Sequence, residues 1–138
     1  MFNAFLDNII RLIRSKQEAD NTALYDCLST PGKAEEIASI MVHNWEMAHQ
    51  LVTANGGEFI AILQPAAFIG SPKVDHLKFD EAFRKNFMAV YDHIRKILSE
   101  KNYPWVVDMT KAFDHDEYIY IDFCHVSPNG NALIVDTL

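Results

Sequence analysis

Apolar residues recur at three- and four-residue steps over three stretches of the chain, the spacing of one buried face of a helix. Phe2, Phe5, Leu6, Ile9, Ile10 and Ile13 form the first stripe. Ile37, Met41, Trp45, Ala48 and Val52 form the second, and predict a helix from about Lys33 to Ala54 that follows the Thr30-Pro31 start signal and stops at Asn55-Gly56-Gly57. Phe79, Phe83, Phe87, Val90, Tyr91, Ile94 and Leu98 form the third, with Lys85, Asp92, Arg95 and Lys96 mostly outside and a break at Tyr103-Pro104. Between the second and third helices lies Phe59-Ile60-Ala61-Ile62-Leu63, apolar without alternation and ended by Gln64-Pro65. Such a run predicts a strand covered on both faces, and hence a parallel one.

Trp105-Val106-Val107 predicts a second strand, Thr110 to Phe113 a short helical turn, and Ser127 the cap of a last helix with Pro128 at its first position. Pro65 to Leu77 holds two prolines and a glycine and reads as a loop long enough to carry function. Helix, strand, helix, strand, helix is the order of an α/β protein: a short parallel sheet flanked by helices, in a single domain over residues 1–138.

Composition narrows the function. The 138 residues are 49% hydrophobic, and a chain of this size buries about two-thirds of its surface, enough for a core without disulfides or metal. Nineteen acidic against twelve basic side chains give a net charge of -7, the wrong sign for a nucleic-acid binder. Cys27 and Cys124 lie far apart, with no Cys-x-x-Cys spacing to suggest a zinc ribbon or a disulfide framework. Asp7, Arg11 and Arg14 interrupt the first apolar stripe, so it is neither a signal peptide nor a membrane span, and a cytoplasmic location is expected for the chain as encoded. No dinucleotide fingerprint or phosphate-binding glycine loop occurs, so no cofactor is expected.

The candidate chemistry lies near the end. In Asp122-Phe123-Cys124-His125 a carboxylate stands three residues before an imidazole, so that one tight turn brings the two together. A hydrolase base needs that pairing, because the carboxylate holds the Nδ1 proton and leaves Nε2 to accept another. The bare spacing also describes a surface loop in which Asp122 binds backbone amides and His125 is solvated. Cys124, next to His125 in sequence, should point to the opposite side as a small buried residue. Gln64 is the candidate substrate-binding residue, since open α/β sheets bind ligands at the carboxyl ends of strands. It serves equally well as a turn-forming side chain beside Pro65. Asp114-His115-Asp116-Glu117 reads as a solvated acidic loop, and His43 and His49, six apart, do not share a helix face, so no metal site is expected. His76 and His93 read as partly exposed structural histidines.

The run Tyr120-Ile121-Asp122-Phe123-Cys124-His125-Val126-Ser127-Pro128-Asn129-Gly130-Asn131 closely resembles the last sequence block of the SGNH (GDSL-type) lipase, esterase and acylhydrolase family. Trp45, Ile62-Leu63-Gln64-Pro65, and Val107-Asp108-Met109-Thr110 with Phe113 look like upstream counterparts, so the resemblance spans roughly Ala34 to Leu138. It implies part of a flavodoxin-like three-layer α/β/α fold, hydrolysis of an ester or acetyl ester, His125 as general base and then acid, and Asp122 as its orienting carboxylate.

The departures are equally specific. The family's Gly-Asp-Ser nucleophile block and Gly-x-Asn-Asp oxyanion block occur nowhere in these 138 residues. Ser127 reads as a helix cap, Ser29 lacks a strand-to-turn setting, and Ser71 has no glycine-rich turn beside it. The chain therefore reads as the C-terminal portion of such a hydrolase, inactive alone, with a non-catalytic oligomeric or ligand-binding module as the alternative. A sheet shortened to its last two strands leaves an open edge, so self-association is expected, through that edge or by exchange of the helix Phe2 to Ile13.

Overall fold

The computed structural model describes residues 26–137. The stripe Phe2 to Ile13 lies outside them. Three helices and two strands follow in the predicted order: α1 (Lys33–Ala54), β1 (Ala61–Leu63), α2 (Glu81–Lys101), β2 (Val106–Asp108) and α3 (Pro128–Thr137). The two strands pair in parallel, with Ala61 opposite Val106, Ile62 opposite Val107 and Leu63 opposite Asp108. The mixed α/β class stands.

Local chemistry accounts for most of the boundaries. At the start of α1 the cap is Gly32 rather than Thr30 or Pro31. Pro31 fixes its own φ, and the chain then turns through Gly32 at φ 77°, so the backbone C=O of Thr30 takes the Lys33 amide at 3.1 Å and no side chain caps the helix. At its end, the Gly56 amide donates to Thr53 C=O at 3.0 Å and the Gly57 amide reaches back to Val52 C=O at 3.0 Å, the paired bonds of a Schellman motif with Gly56 left-handed at φ 77°. Asp80 caps α2 by accepting from the Phe83 amide at 2.7 Å, and Ser127 caps α3 by accepting from the Gly130 amide at 3.4 Å.

Period two along β1 divides the molecule. Leu63 is fully buried with Ala38 and Val42 of α1, Tyr91 and Ile94 of α2, and Ala66 and Ile69 of the following loop. Ile62, on the other face, is half-buried and borders an open cleft. The prediction of a strand covered on both faces is thus corrected: the strand is three residues long, Ile60 is 62% exposed before it, and only one face is sealed. The reason is supply, since both long helices serve the Leu63 face. The Ile62 side has the short α3 and a second cluster of Ala67, Phe113, Ile119 and Tyr120, packed with Val126, Leu133 and Ile134.

Arg95 also departs from its predicted outer position. Half-buried, it runs to the end of β2, where its guanidinium bonds Thr110 Oγ1 and stands 3.5 Å from Asp108 Oδ2. Asp108 in turn accepts from the Thr110 amide at 2.9 Å and from its hydroxyl at 2.6 Å. Asp108 is thereby spent on ordering the strand end. No helix among the described residues is long and apolar enough to cross a membrane.

Candidate active site

Asp122 and His125 sit on a small closed hairpin. The Ser127 amide donates to Ile119 C=O at 2.8 Å, the Ile121 amide donates to His125 C=O at 2.8 Å, and Tyr120 bridges Val126 in antiparallel fashion. Three further contacts fix this hairpin to the body. Ala67, in the loop after β1, donates its amide to Phe123 C=O at 2.9 Å. His76 bonds Tyr120 C=O through Nε2 at 2.9 Å while lying edge-on to the Tyr118 ring. Gly130 of α3 is buried against the hairpin, and a Cβ there would stand 2.6 Å from Ile119 Cγ2 and 2.8 Å from Val126 Cβ. Glycine at 130 is what lets the helix lie so close.

Within the turn, one carboxylate does both jobs that the sequence left open. Asp122 Oδ1 accepts from the Cys124 amide at 2.9 Å and the His125 amide at 2.8 Å, the local bonding characteristic of an aspartate in a tight turn. Asp122 Oδ2 accepts from His125 Nδ1 at 2.7 Å. Because an ionised carboxylate only accepts, Nδ1 carries the proton, and in the neutral ring Nε2 is left with its lone pair. The His125 amide first, then the Cys124 amide and the imidazole, hold the Asp122 carboxyl well below the usual carboxylate range. Both side chains face solvent, His125 at 75% exposure and Asp122 at 48%.

Cys124 overturns its prediction. It is half-buried rather than buried, and its Sγ lies 3.7 Å from His125 Nδ1, on the same side of the turn as the imidazole. Burial first, then the neighbouring Asp122 charge and a hydrogen bond to it, push the thiol pKa up. A thiol so held stays protonated and is a poor nucleophile. It also faces Nδ1, the nitrogen already committed to Asp122.

Among the described residues, Asp122, Cys124 and His125 are the group whose donor atoms, all within 4.8 Å of one another, could hold a metal ion. Their spacing is already accounted for by the hydrogen bonds within the turn. Asp114 is engaged elsewhere, accepting from the Ser71 amide at 2.6 Å, and Asp116 pairs with Lys73 at 2.8 Å. His43 reaches Glu46 at 3.4 Å and His49 stacks on Trp105, each on its own partner.

Gln64 comes close to the site. It is exposed at the carboxyl end of β1 and, with Ile62, Phe113, Cys124 and Asn131, lines the cleft of about 310 Å³ between the open sheet face and α3. Its backbone C=O accepts from Tyr91 OH at 3.2 Å, and burial pushes the Tyr91 hydroxyl up to about 12, so this bond persists across the neutral range. Two contacts that position the hairpin have no sequence signature: the bond of His76, read as a structural histidine, to Tyr120 C=O, and the backbone amide of Ala67. No serine or threonine hydroxyl bonds His125 among the described residues.

No protein-family model matches the sequence, and no curated protein and no solved structure matches the chain either.

Proposed function

We propose that this chain carries the acid–base half of a serine-hydrolase-type site acting on an ester or acetyl ester, on the C-terminal part of an SGNH-like three-layer α/β/α fold. The observation that carries the reading is the 2.7 Å contact from His125 Nδ1 to a carboxylate whose other oxygen is held by two backbone amides. In this role His125 Nε2 takes the proton of an attacking hydroxyl and returns it to the leaving alcohol. Asp122 fixes the tautomer and stabilises the imidazolium between those steps. In this reading Gln64, which lines the cleft opposite α3, contacts substrate. The serine and the oxyanion donors come from a segment or chain outside these 138 residues, which contain neither motif block.

The exposure of His125 favours a second reading, a non-catalytic oligomeric or ligand-binding module of the same fold, because a hydrolase base works in a site shielded from bulk water. One experiment separates the two. The 138-residue chain, and any longer product encoded in frame with a Gly-Asp-Ser block, are assayed on p-nitrophenyl acetate and treated with a fluorophosphonate probe. The hydrolase reading expects no labelling of the short chain, serine labelling of the long one, and a loss of about 10⁴-fold in the long one on His125→Ala. Labelling of the short chain overturns the absence of a nucleophile. A longer chain indifferent to His125→Ala overturns the hydrolase reading in favour of the second.

A further inference from the structure

Helix α1 carries two apolar stripes, and the other described residues cover only one of them. Ala34, Ala38 and Val42 face the core, with Met41 and Trp45 half-buried at its edge. The spacing predicts Ile37, Met41, Trp45, Ala48 and Val52 as the buried face, whereas Ile37 belongs instead to the outer stripe. On nearly the opposite side, Ile37, Ile40, Asn44, Met47 and Leu51 follow one another at steps of three, four, three and four residues, the seam spacing of paired helices. Ile40, Met47 and Leu51 of this outer stripe are 53%, 54% and 69% exposed. Its first turns, with Met41 and Trp45, border a shallow depression. Between Ile37 and Ala54, Glu46 is the one charged carboxylate and no lysine or arginine occurs. Even Glu46 is turned away, bonded to Tyr103 OH and 3.9 Å from Lys101 Nζ. Charge depletion around an exposed apolar seam marks a face that another element covers.

We propose that residues 2–13 of the same chain cover it. Phe2, Leu6, Ile9 and Ile13 repeat the seam spacing at steps of four, three and four, with Phe5 and Ile10 as flanks. Such a stripe stabilises a helix only when buried against a partner. The described chain begins beside the start of α1: Asp26 Oδ1 accepts from the Leu28 and Ser29 amides, and the Leu28 amide also reaches Asn86 Oδ1 of α2 at 3.1 Å. Residues 14–25 can extend about 40 Å, and α1 is about 33 Å long, so every position on the seam lies within reach. A tether of this length gives an effective concentration of order millimolar, which favours the chain's own segment over a second copy at micromolar protein.

Hydrogen exchange on the full chain tests the proposal. Amides of residues 2–13 are expected to exchange at least about tenfold slower than in an unstructured peptide, with no change on tenfold dilution. Ile40→Asp combined with Met47→Asp should abolish that protection while the amides of α2 keep theirs, which shows that the body remains folded. Leu6→Asp with Ile9→Asp, the reciprocal pair, should expose α1 to an apolar dye and leave α2 protected. The proposal is overturned by unprotected residues 2–13 in the unaltered chain, or by protection that survives Ile40→Asp and Met47→Asp. Protection that falls on dilution as a dimer dissociates also overturns it, and makes a second copy the occupant.

Discussion

The two faces of β1 are built differently although the strand is only three residues long. Leu63 looks into a core sealed by two helices of 22 and 21 residues, whereas Ile62 looks across an open cleft to the ten-residue α3 and a set of loops. The sealed face holds the two long helices against the sheet. The open face carries Gln64 and Cys124, and the Asp122–His125 turn sits at its margin, next to Cys124 in the chain. Scaffold and chemistry are thus divided between alternate residues of one strand, and a site can change on one side without disturbing the packing on the other.

Substitution on the strand tests that division most severely. Leu63→Ala should cost about 2–5 kcal/mol in urea unfolding, since it empties a closed site, while Ile62→Ala should cost about 1 kcal/mol because its surroundings are already open to water. Equal costs would show that the two faces are packed alike. A smaller effect is expected at the junction of α3 with the hairpin. Gly130→Ala drives a methyl into Ile119 and Val126, and should cost about 1–3 kcal/mol and displace the turn, seen as loss of the bonded Nδ1 proton of His125 in NMR. An unchanged proton signal would mean that the turn holds itself without α3.

The least change is expected from the dyad itself. The Asp122 pKa is depressed in the folded state, so the stability it contributes is complete above the ordinary carboxylate pKa of about 4 and is lost as pH falls below that value. Because the His125 amide is the largest cause and the imidazole only the third, His125→Ala should leave most of the depression in place when the carboxyl is titrated by NMR. Return of Asp122 to an ordinary pKa in that variant would assign the effect to the ring instead of the backbone.

Periodicity and punctuation made much of the fold legible. Asn55-Gly56-Gly57, Ser127-Pro128 and the apolar stripes located both ends of α1 and the start of α3 within a residue or two, because each signal is a local physical constraint. The half-open face of β1 was not legible, since an unalternating run says that a strand is apolar and not how many helices are available to cover it. Likewise, Asp122 and His125 were readable from their spacing, while the direction of Cys124 depends on how the turn closes. Arg95 was misplaced because a helix stripe assigns it outward, and its tie to Asp108 and Thr110 forms only when β2 ends beside it.

The short hairpin around Asp122 also bears on the order in which the chain acquires structure. Pairing of β1 with β2 joins Ala61 to Val106 across the whole of α2, and closing so long a loop is among the slower events of folding. The bonds that seat His125 on Asp122 link residues at most three apart, and a loop of that length closes on a submicrosecond scale. The Asp122–His125 pair is consequently a local unit whose bonds need not wait for the sheet. During synthesis its bonds can close as soon as their own few residues emerge, while the contacts of Ala67, His76 and Gly130 that fix the turn to the body come only with the rest of the fold.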